Sequence, residues 1–524
     1  MLTPGFLYIT GALLLLLPIN NKIKYIISFL ITAGALIVTF YLIPGNSLQL
    51  DFLKLTLIPI KVDSISKLTG LIFAFAGLAA VIYSINICSL PNLRLIFVFI
   101  GSALTVVFSG DLFTLYVFWE LMTISSSFLI IMASDFTKKT GYYYFLMHVA
   151  GSLSLLWGIF LQYSATGSLS LNAIEAGTPF FLIAIAVKLA FVGFHTWMPL
   201  VYSKAPFYVA VVLSIYTTKV GVYVMARLVS GINILAYAGL ISALFGIVMA
   251  LRQNQVLKLL SYSIIIQVGY MIIGISIGTA AGISGAMFHL VNHILYKTVL
   301  FMAVGVVIYT TGKDDFENLG IMRSKLPVTS IATLVAFLGI AGVPFFNGYM
   351  SKSLIKDALH EPLLKWGLDL MSFGTSLLFL KFIYYAFFKN STMNLAKKPT
   401  ISMQLGMGFL TVMMILIGIH PYLLENLTNM HVDFNYFEMK HILSGMQPFL
   451  WSILIFILFK KYVVKKYDRL LYYDMYRKMA TLFVATGYQL SNYHDGKLNK
   501  YLLWATTTLI ILLFLLMFNS HLLL

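Results

Sequence analysis

Apolar stretches of about twenty residues, the length that crosses a bilayer as a helix, follow one another along almost the whole chain, with lysines and arginines gathered in the links between them. The alternation predicts an all-α polytopic membrane protein of about sixteen spans. They lie near residues 3–19, 24–44, 65–86, 93–109, 111–133, 142–164, 178–204, 207–229, 232–250, 257–278, 281–311, 327–361, 367–388, 401–419, 444–460 and 501–521. The first apolar run, Phe6 to Ile19, reads as a retained span, because no small-residue cleavage site follows it. Links holding Lys22 and Lys24, Arg94, Lys138 and Lys139, Lys204, Arg252 and Lys258, Arg323 and Lys325, and Lys397 and Lys398 fall on one side. The stretches Ser164 to Thr178 and His420 to Met446 fall on the other. Basic links stay preferentially in the cytoplasm, so the pattern predicts both termini outside.

Two spans are longer than a bilayer needs and carry helix punctuators. In the seventh, Lys188 precedes Gly193, His195 and Pro199; in the twelfth, Gly342, Pro344, Asn347 and Gly348 precede Lys352. Proline removes a backbone donor, and unwound backbone survives at membrane depth only where protein or a wet cavity satisfies it. Breaks at Gly193/Pro199 and Pro344/Gly348, five spans apart, predict an inverted repeat in which spans four to eight match nine to thirteen. The expected organisation is N-terminal helices (1–92), a first five-helix repeat (93–229), a second (230–390), C-terminal helices (391–460), a lateral segment (461–500) and a final span (501–524). The lateral segment, rich in Lys, Arg, Tyr and Leu from Lys460 to Leu490, reads as a cytoplasmic amphipathic helix, with a solvated basic linker as the alternative.

Composition narrows the class. Hydrophobic residues are 60% and charged residues 10% of 524, and mean hydropathy is +0.92, which leaves no room for a soluble catalytic domain. A net charge of +17 would point to nucleic acid in a soluble protein; concentrated in links, it reports topology instead. Cys88 is the one cysteine, and no Cys/His cluster has metal or iron–sulfur spacing. No cofactor, metal, redox site or hydrolytic site is therefore expected in this chain, and any redox chemistry would belong to another subunit.

Against this apolar background stands a ladder of ionisable residues deep inside the spans: Glu120, Lys188, Lys219, His289, His293, Lys297 and Lys352. Each charge near a bilayer centre costs roughly 2.5–3.5 kcal/mol, so an unpaired set would exceed the ~5–15 kcal/mol stability of an ordinary domain. Such a series reads by default as an ion or proton path. Glu120 shares a helix face with Thr123 and Ser127, and its alternative role is a carboxyl held for assembly alone. Lys188 has no acid in its own segment, which makes Glu120 its natural partner. Burial disfavours an ammonium while a carboxylate favours it, a balance that suits a proton carrier. Lys219 repeats the pattern one span later. His289, His293 and Lys297 lie at i, i+4 and i+8, one helix stripe; the histidine pair alone could also bind a metal, but no third ligand accompanies it. Lys352 lies nearest a span end, where snorkelling is the competing reading.

At these positions the chain resembles the antiporter-like subunits of respiratory complex I, shared with Mrp-type Na+/H+ antiporters and membrane-bound hydrogenases. The resemblance rests on DLFTLYVFWELMTISSSFLI, AVKLAFVGFHTWMP, KVGVYVMAR, FHLVNHILYKTVLFMAVG with TGKDDFENLG, and GIAGVPFFNGYMSKSLI, in that order across roughly residues 60–390. It implies a core of fourteen helices with inverted repeats and two broken helices. It also implies Glu120 paired with Lys188, Lys219 with His289, His293 and Lys297 as a central axis, and Lys352 as the charge at the second break. Lysine at that last position, with sixteen spans, is similar to the distal, subunit-5 type. One departure is MPLVYSKAPFYVAVVLS, where the family usually has an acid in the loop and small residues after it; Phe207 and Tyr208 add bulk there.

These readings lead to an expected proton-translocating or monovalent cation:proton antiporter subunit of a multi-subunit complex in the cell membrane. Its partners would be other membrane subunits, protons with Na+ as the exchanged cation, and lipid. The alternatives are the membrane subunit of a redox-driven NADH:quinone oxidoreductase or hydrogenase, a subunit for inorganic-carbon uptake, and a non-transporting scaffold.

Overall fold

The computed structural model describes residues 3–465 apart from 53–54, 172–173, 390–393 and 429. The lateral segment and final span expected from 461–524 fall almost wholly outside the described residues.

Helix α1 (Pro4–Leu14) and α2 (Asn21–Tyr41) lead into a hairpin of β1 (Ser47–Phe52) and β2 (Leu55–Lys61), paired antiparallel. Then come α3 (Ser64–Ser84), α4 (Leu90–Phe108), α5 (Leu112–Ile131), α6 (Asp135–Thr166), α7 (Thr178–Leu189), α8 (Trp197–Lys204) and α9 (Phe207–Leu228). The second run is α10 (Ile234–Leu251), α11 (Val256–Ile277), α12 (Ala280–Thr311), short α13 (Ile321–Lys325), α14 (Pro327–Ala341), α15 (Asn347–Asp357) and α16 (Pro362–Ile383). Helices α17 (Ile401–Ile419), α18 (Leu423–Thr428) and α19 (Met439–Val463) follow.

Among the described residues 12 helices are long and apolar enough to cross a membrane, or 13 with one bent pair counted as a span; α1 and α7 are shorter apolar helices. The chain is a multi-pass membrane protein. The first helix is shorter than the expected span, stopping at Leu14. Pro18 lies four residues on, where its ring would meet the Leu14 carbonyl in a continued helix. Helix α6 starts earlier than the apolar run because Ser134 and Thr137 form a capping box in the link. The hairpin is an addition to the all-helical expectation, in a link whose strand alternation is short.

The two runs correspond element by element. Helix lengths are 19, 20, 32 and 22 residues for α4, α5, α6 and α9, against 18, 22, 32 and 22 for α10, α11, α12 and α16. Between the third and last member of each set lies a helix in two pieces, α7/α8 and α14/α15. The core centres on α9, α11 and α12, which are buried along nearly their whole length. A helix apolar all round is a buried helix, and these carry the central part of the ladder.

Candidate proton path

The two breaks place the first and last lysines. Helix α7 stops after Leu189, where Ala190 takes a left-handed conformation (φ 54°). Its freed carbonyl at Val187 accepts a hydrogen bond from the Trp197 indole at 3.0 Å, donated from the first residue of α8. Lys188 is thus held at the end of a half-helix whose loose backbone is satisfied by protein. The second break repeats the device with different chemistry. Helix α14 ends at left-handed Gly342 (φ 80°), and the Lys352 ammonium reaches back from α15 to the Ile340 carbonyl at 2.7 Å. A Cβ on Gly342 would stand 3.0 Å from the Lys352 side chain, so glycine serves both the backbone turn and the passage of the lysine stem.

Gly193 (φ 101°) and Pro344 lie in the unwound stretches. Pro199 and Gly348 lie instead within the first turns of α8 and α15. The first turn has backbone donors without helical partners, so a proline there costs nothing in hydrogen bonding.

Lys188 is buried, donates to the Thr123 hydroxyl at 3.2 Å and lies 4.6 Å from the Trp119 ring centre. Among the described residues no ion pair within 4 Å joins it to Glu120. The carboxylate acts on the ammonium through space. Thr123 and Trp119 flank Glu120 on the same helix, so α5 presents the acid, the hydroxyl and the aromatic face together.

Lys219 is fully buried in α9 and donates to the Ser214 carbonyl at 2.5 Å. Its charge reaches both His293 and Lys297 on α12. Lys297 donates to the Ser263 hydroxyl of α11 and faces the Phe379 ring at 5.4 Å. His289 bonds through Nδ1 to Ser351 (2.9 Å) and through Nε2 to the Gln267 carbonyl oxygen (3.1 Å). His293 is stacked on it at 6.5 Å, with neither ring nitrogen hydrogen-bonded to protein. From His289 the row continues: Tyr270 lies 5.2 Å from its ring, and the Lys352 ammonium 5.1 Å from the Tyr270 ring. Lys352 borders a polar cavity of about 170 Å³ shared with Lys356, Asp369, His441 and Ser444. The structure therefore buries six of the ladder residues, Lys188, Lys219, His289, His293, Lys297 and Lys352, on the neighbouring helices α7, α9, α12 and α15, while Glu120 is half-buried on α5.

Sequence reasoning missed Gln267, Tyr270 and Ser351, ordinary polar residues whose part is to hold the ladder, and placed Thr123 on the face of Glu120 without its bond to Lys188. It also missed Asp111, whose fully buried carboxylate accepts from Thr114 N (2.7 Å), Thr114 Oγ1 (2.8 Å) and Ile58 N (2.7 Å). That acid caps α5 and clasps the hairpin to it. The bulky Phe207 is met by a glycine: a Cβ on Gly305 would fall 2.9 Å from the Phe207 ring. Tyr208 accepts from Asn92 at 2.7 Å.

Residues 109–379 match the family described as NADH:quinone oxidoreductase/Mrp antiporter, transmembrane region. The chain belongs to this family. A relative in Staphylococcus saprophyticus, named antiporter subunit mnhD2, is 30% identical over 384 residues, 66% of this chain and 75% of the relative. Na(+)/H(+) antiporter subunit A1 of Staphylococcus haemolyticus is 29% identical over 518 residues, 84% of this chain and 63% of the relative. Among solved structures, a chain of the Mrp complex from a Dietzia species superposes with TM-score 0.79 at 21% identity, covering 99% of this chain and 62% of that one. The chain spans under two thirds of the A-type relative and of the Dietzia chain. Antiporter-family membership accounts for the matched run, which begins just before Asp111 and extends through the second break into α16.

Proposed function

We propose that this chain is a proton-translocating subunit of an Mrp-type cation:proton antiporter complex in the cell membrane, exchanging protons for Na+. One observation carries the reading: six titratable groups, far apart in sequence, are buried on mutually packed helices that include both broken ones, with half-buried Glu120 at their edge. Isolated buried charges are costly, and a continuous set of them has proton carriage as its ready use. The names of the staphylococcal relatives support the choice of antiport over other energy sources.

In this scheme Glu120 and Lys188 form the switch. Motion at a neighbouring subunit displaces α5 relative to α7 and changes how strongly the carboxylate stabilises the ammonium. The proton then steps through Lys219 and the His293/Lys297 pair to His289 and Lys352, and leaves by the polar cavity. Only differential stabilisation of charge states drives such steps. The basic links lie in the cytoplasm and both termini outside, with 93–229 and 230–390 as the inverted repeats.

The test uses everted membrane vesicles carrying the chain with its complex, a pH-sensitive dye, and a pulse of Na+. Lys188→Ala or Glu120→Ala should abolish Na+-induced proton movement while the complex still assembles. Conservative Lys188→Gln and Glu120→Gln variants with wild-type fluxes would establish a scaffold role instead.

A further inference from the structure

Helices α6 and α12 have the same length and occupy the same place in the two repeats, and His148 is the fourteenth residue of α6 as His293 is of α12. Both histidines face a ring one turn earlier, His148 tilted by 34° against Tyr144 at 4.0 Å and His293 stacked on His289 at 6.5 Å. Both are buried with Nε2 lacking a hydrogen-bond partner. Spacing along α6 had offered no reason to single out His148, a lone histidine on a helix without other buried charge.

We propose that His148 is a proton carrier between Lys188 and Lys219, the first-repeat counterpart of His293. The inference rests on the reading of the ladder as a proton path. His148 Nδ1 faces the Tyr144 carbonyl at 3.0 Å. A carbonyl only accepts, so the proton of the neutral ring sits on Nδ1 and Nε2 carries the free lone pair. Lys188 lies close enough for its charge to act on the ring. Trp197, 4.6 Å from the His148 ring, holds the imidazole edge-on and also caps the end of α7 where Lys188 sits. Beyond the histidine, Thr217 lies beside Tyr144 and Tyr202. The buried hydroxyl of Thr218 has no hydrogen-bond partner. Both threonines immediately precede Lys219.

The step balances simply. An N–H bond of the Lys188 ammonium breaks as the Nε2–H bond of His148 forms, leaving a neutral amine and an imidazolium. The same Nε2–H bond then breaks toward the threonine hydroxyls, and the proton ends on the neutral amine of Lys219. Nδ1 keeps its proton and its bond to Tyr144 throughout, which fixes the ring.

The test compares His148→Asn and His148→Gln with Lys188→Ala in vesicles bearing the intact complex, by Na+-induced proton flux. Asparagine keeps a donor for the Tyr144 carbonyl but has no Nε2; glutamine offers a polar atom near Nε2 that does not take up a proton. Both should lower flux by about a hundredfold with assembly unchanged. Loss of flux in Lys188→Ala together with wild-type flux in His148→Asn overturns the role of His148 alone. Retained flux in Lys188→Ala overturns the proton-path reading and this inference with it. If the histidine variants fail to assemble, deuterium exchange at the His148 Cε1–H of the wild-type complex decides. Exchange within days, which needs imidazolium formation and contact with water, supports the role; none overturns it.

Discussion

Replacing Gly348 by alanine probes the second break most directly. An added Cβ would stand 2.0 Å from the Gly339 carbonyl oxygen and 2.9 Å from its carbon. Both contacts are with backbone of α14, so no side chain can swing aside. Relief requires α15 to withdraw by about 1 Å, and overpacking of this kind costs roughly 1–3 kcal/mol. The same withdrawal stretches the 2.7 Å bond from Lys352 to Ile340, one turn further along α15. A hydrogen bond to a charged group is worth about 1.5–3 kcal/mol, which brings the total to roughly 2.5–6 kcal/mol if the bond is lost outright. Gly34 is the control, since a Cβ there meets nothing within 4 Å. Alanine in the interior of α2 should even help by about 0.5–1 kcal/mol. The assay is the midpoint temperature for loss of the monodisperse peak of the detergent-solubilised protein in size-exclusion chromatography. Gly348→Ala should lower it markedly and Gly34→Ala should not. Equal midpoints would refute the close approach of the two half-helices on which the placement of Lys352 depends.

Four further outcomes are expected. Thr123→Val, nearly the same shape, removes the acceptor for the Lys188 ammonium; a loss of about 1.5–3 kcal/mol corresponds to a 10- to 100-fold fall in proton flux, measured in the same vesicles. Asp111→Ala strips three buried hydrogen bonds from the cap of α5 and should cost more than about 3 kcal/mol. Asp369→Ala breaks the half-exposed pair with Lys356 (2.6 Å) and should cost under about 1 kcal/mol; the two are read by the same melting assay. Burial pushes the Asp63 carboxyl up, but its bond and charge contact with Arg227 and its bonds to Ser66 outweigh this and hold it below the usual carboxylate range. A depressed folded value means the stabilisation is present above about pH 4 and is lost as pH falls further. The stability difference between wild type and Asp63→Asn should accordingly stay level from pH 7 to 5 and shrink below pH 4.

The buried titratable residues were readable where a single local property carried them. Charges inside apolar runs are conspicuous at any register, so Glu120, Lys188, Lys219 and Lys352 stood out, and i+4 spacing aligned His289, His293 and Lys297 on one stripe. Glycine and proline in overlong spans located both breaks, though the chain turns at Ala190 and Gly342, and Pro199 and Gly348 fall in the following helices. Ala190 could not be foreseen, because alanine is not a residue that marks a left-handed turn.

Hydropathy, spacing and the cost of buried charge are properties of short segments, and they suffice to establish a multi-pass membrane protein, its broken helices and its titratable residues. Partnership is a different matter. Lys188 meets Thr123, 65 positions away, and holds no contact pair with Glu120. Asp111 finds Ile58 on a hairpin, and Lys352 finds a carbonyl freed by the break. His148 is matched to His293 by its place along a helix of equal length, not by its neighbours in sequence. Such contacts join segments far apart in the chain, and which polar atoms meet depends on the rotation and depth at which each helix packs, quantities no single segment encodes.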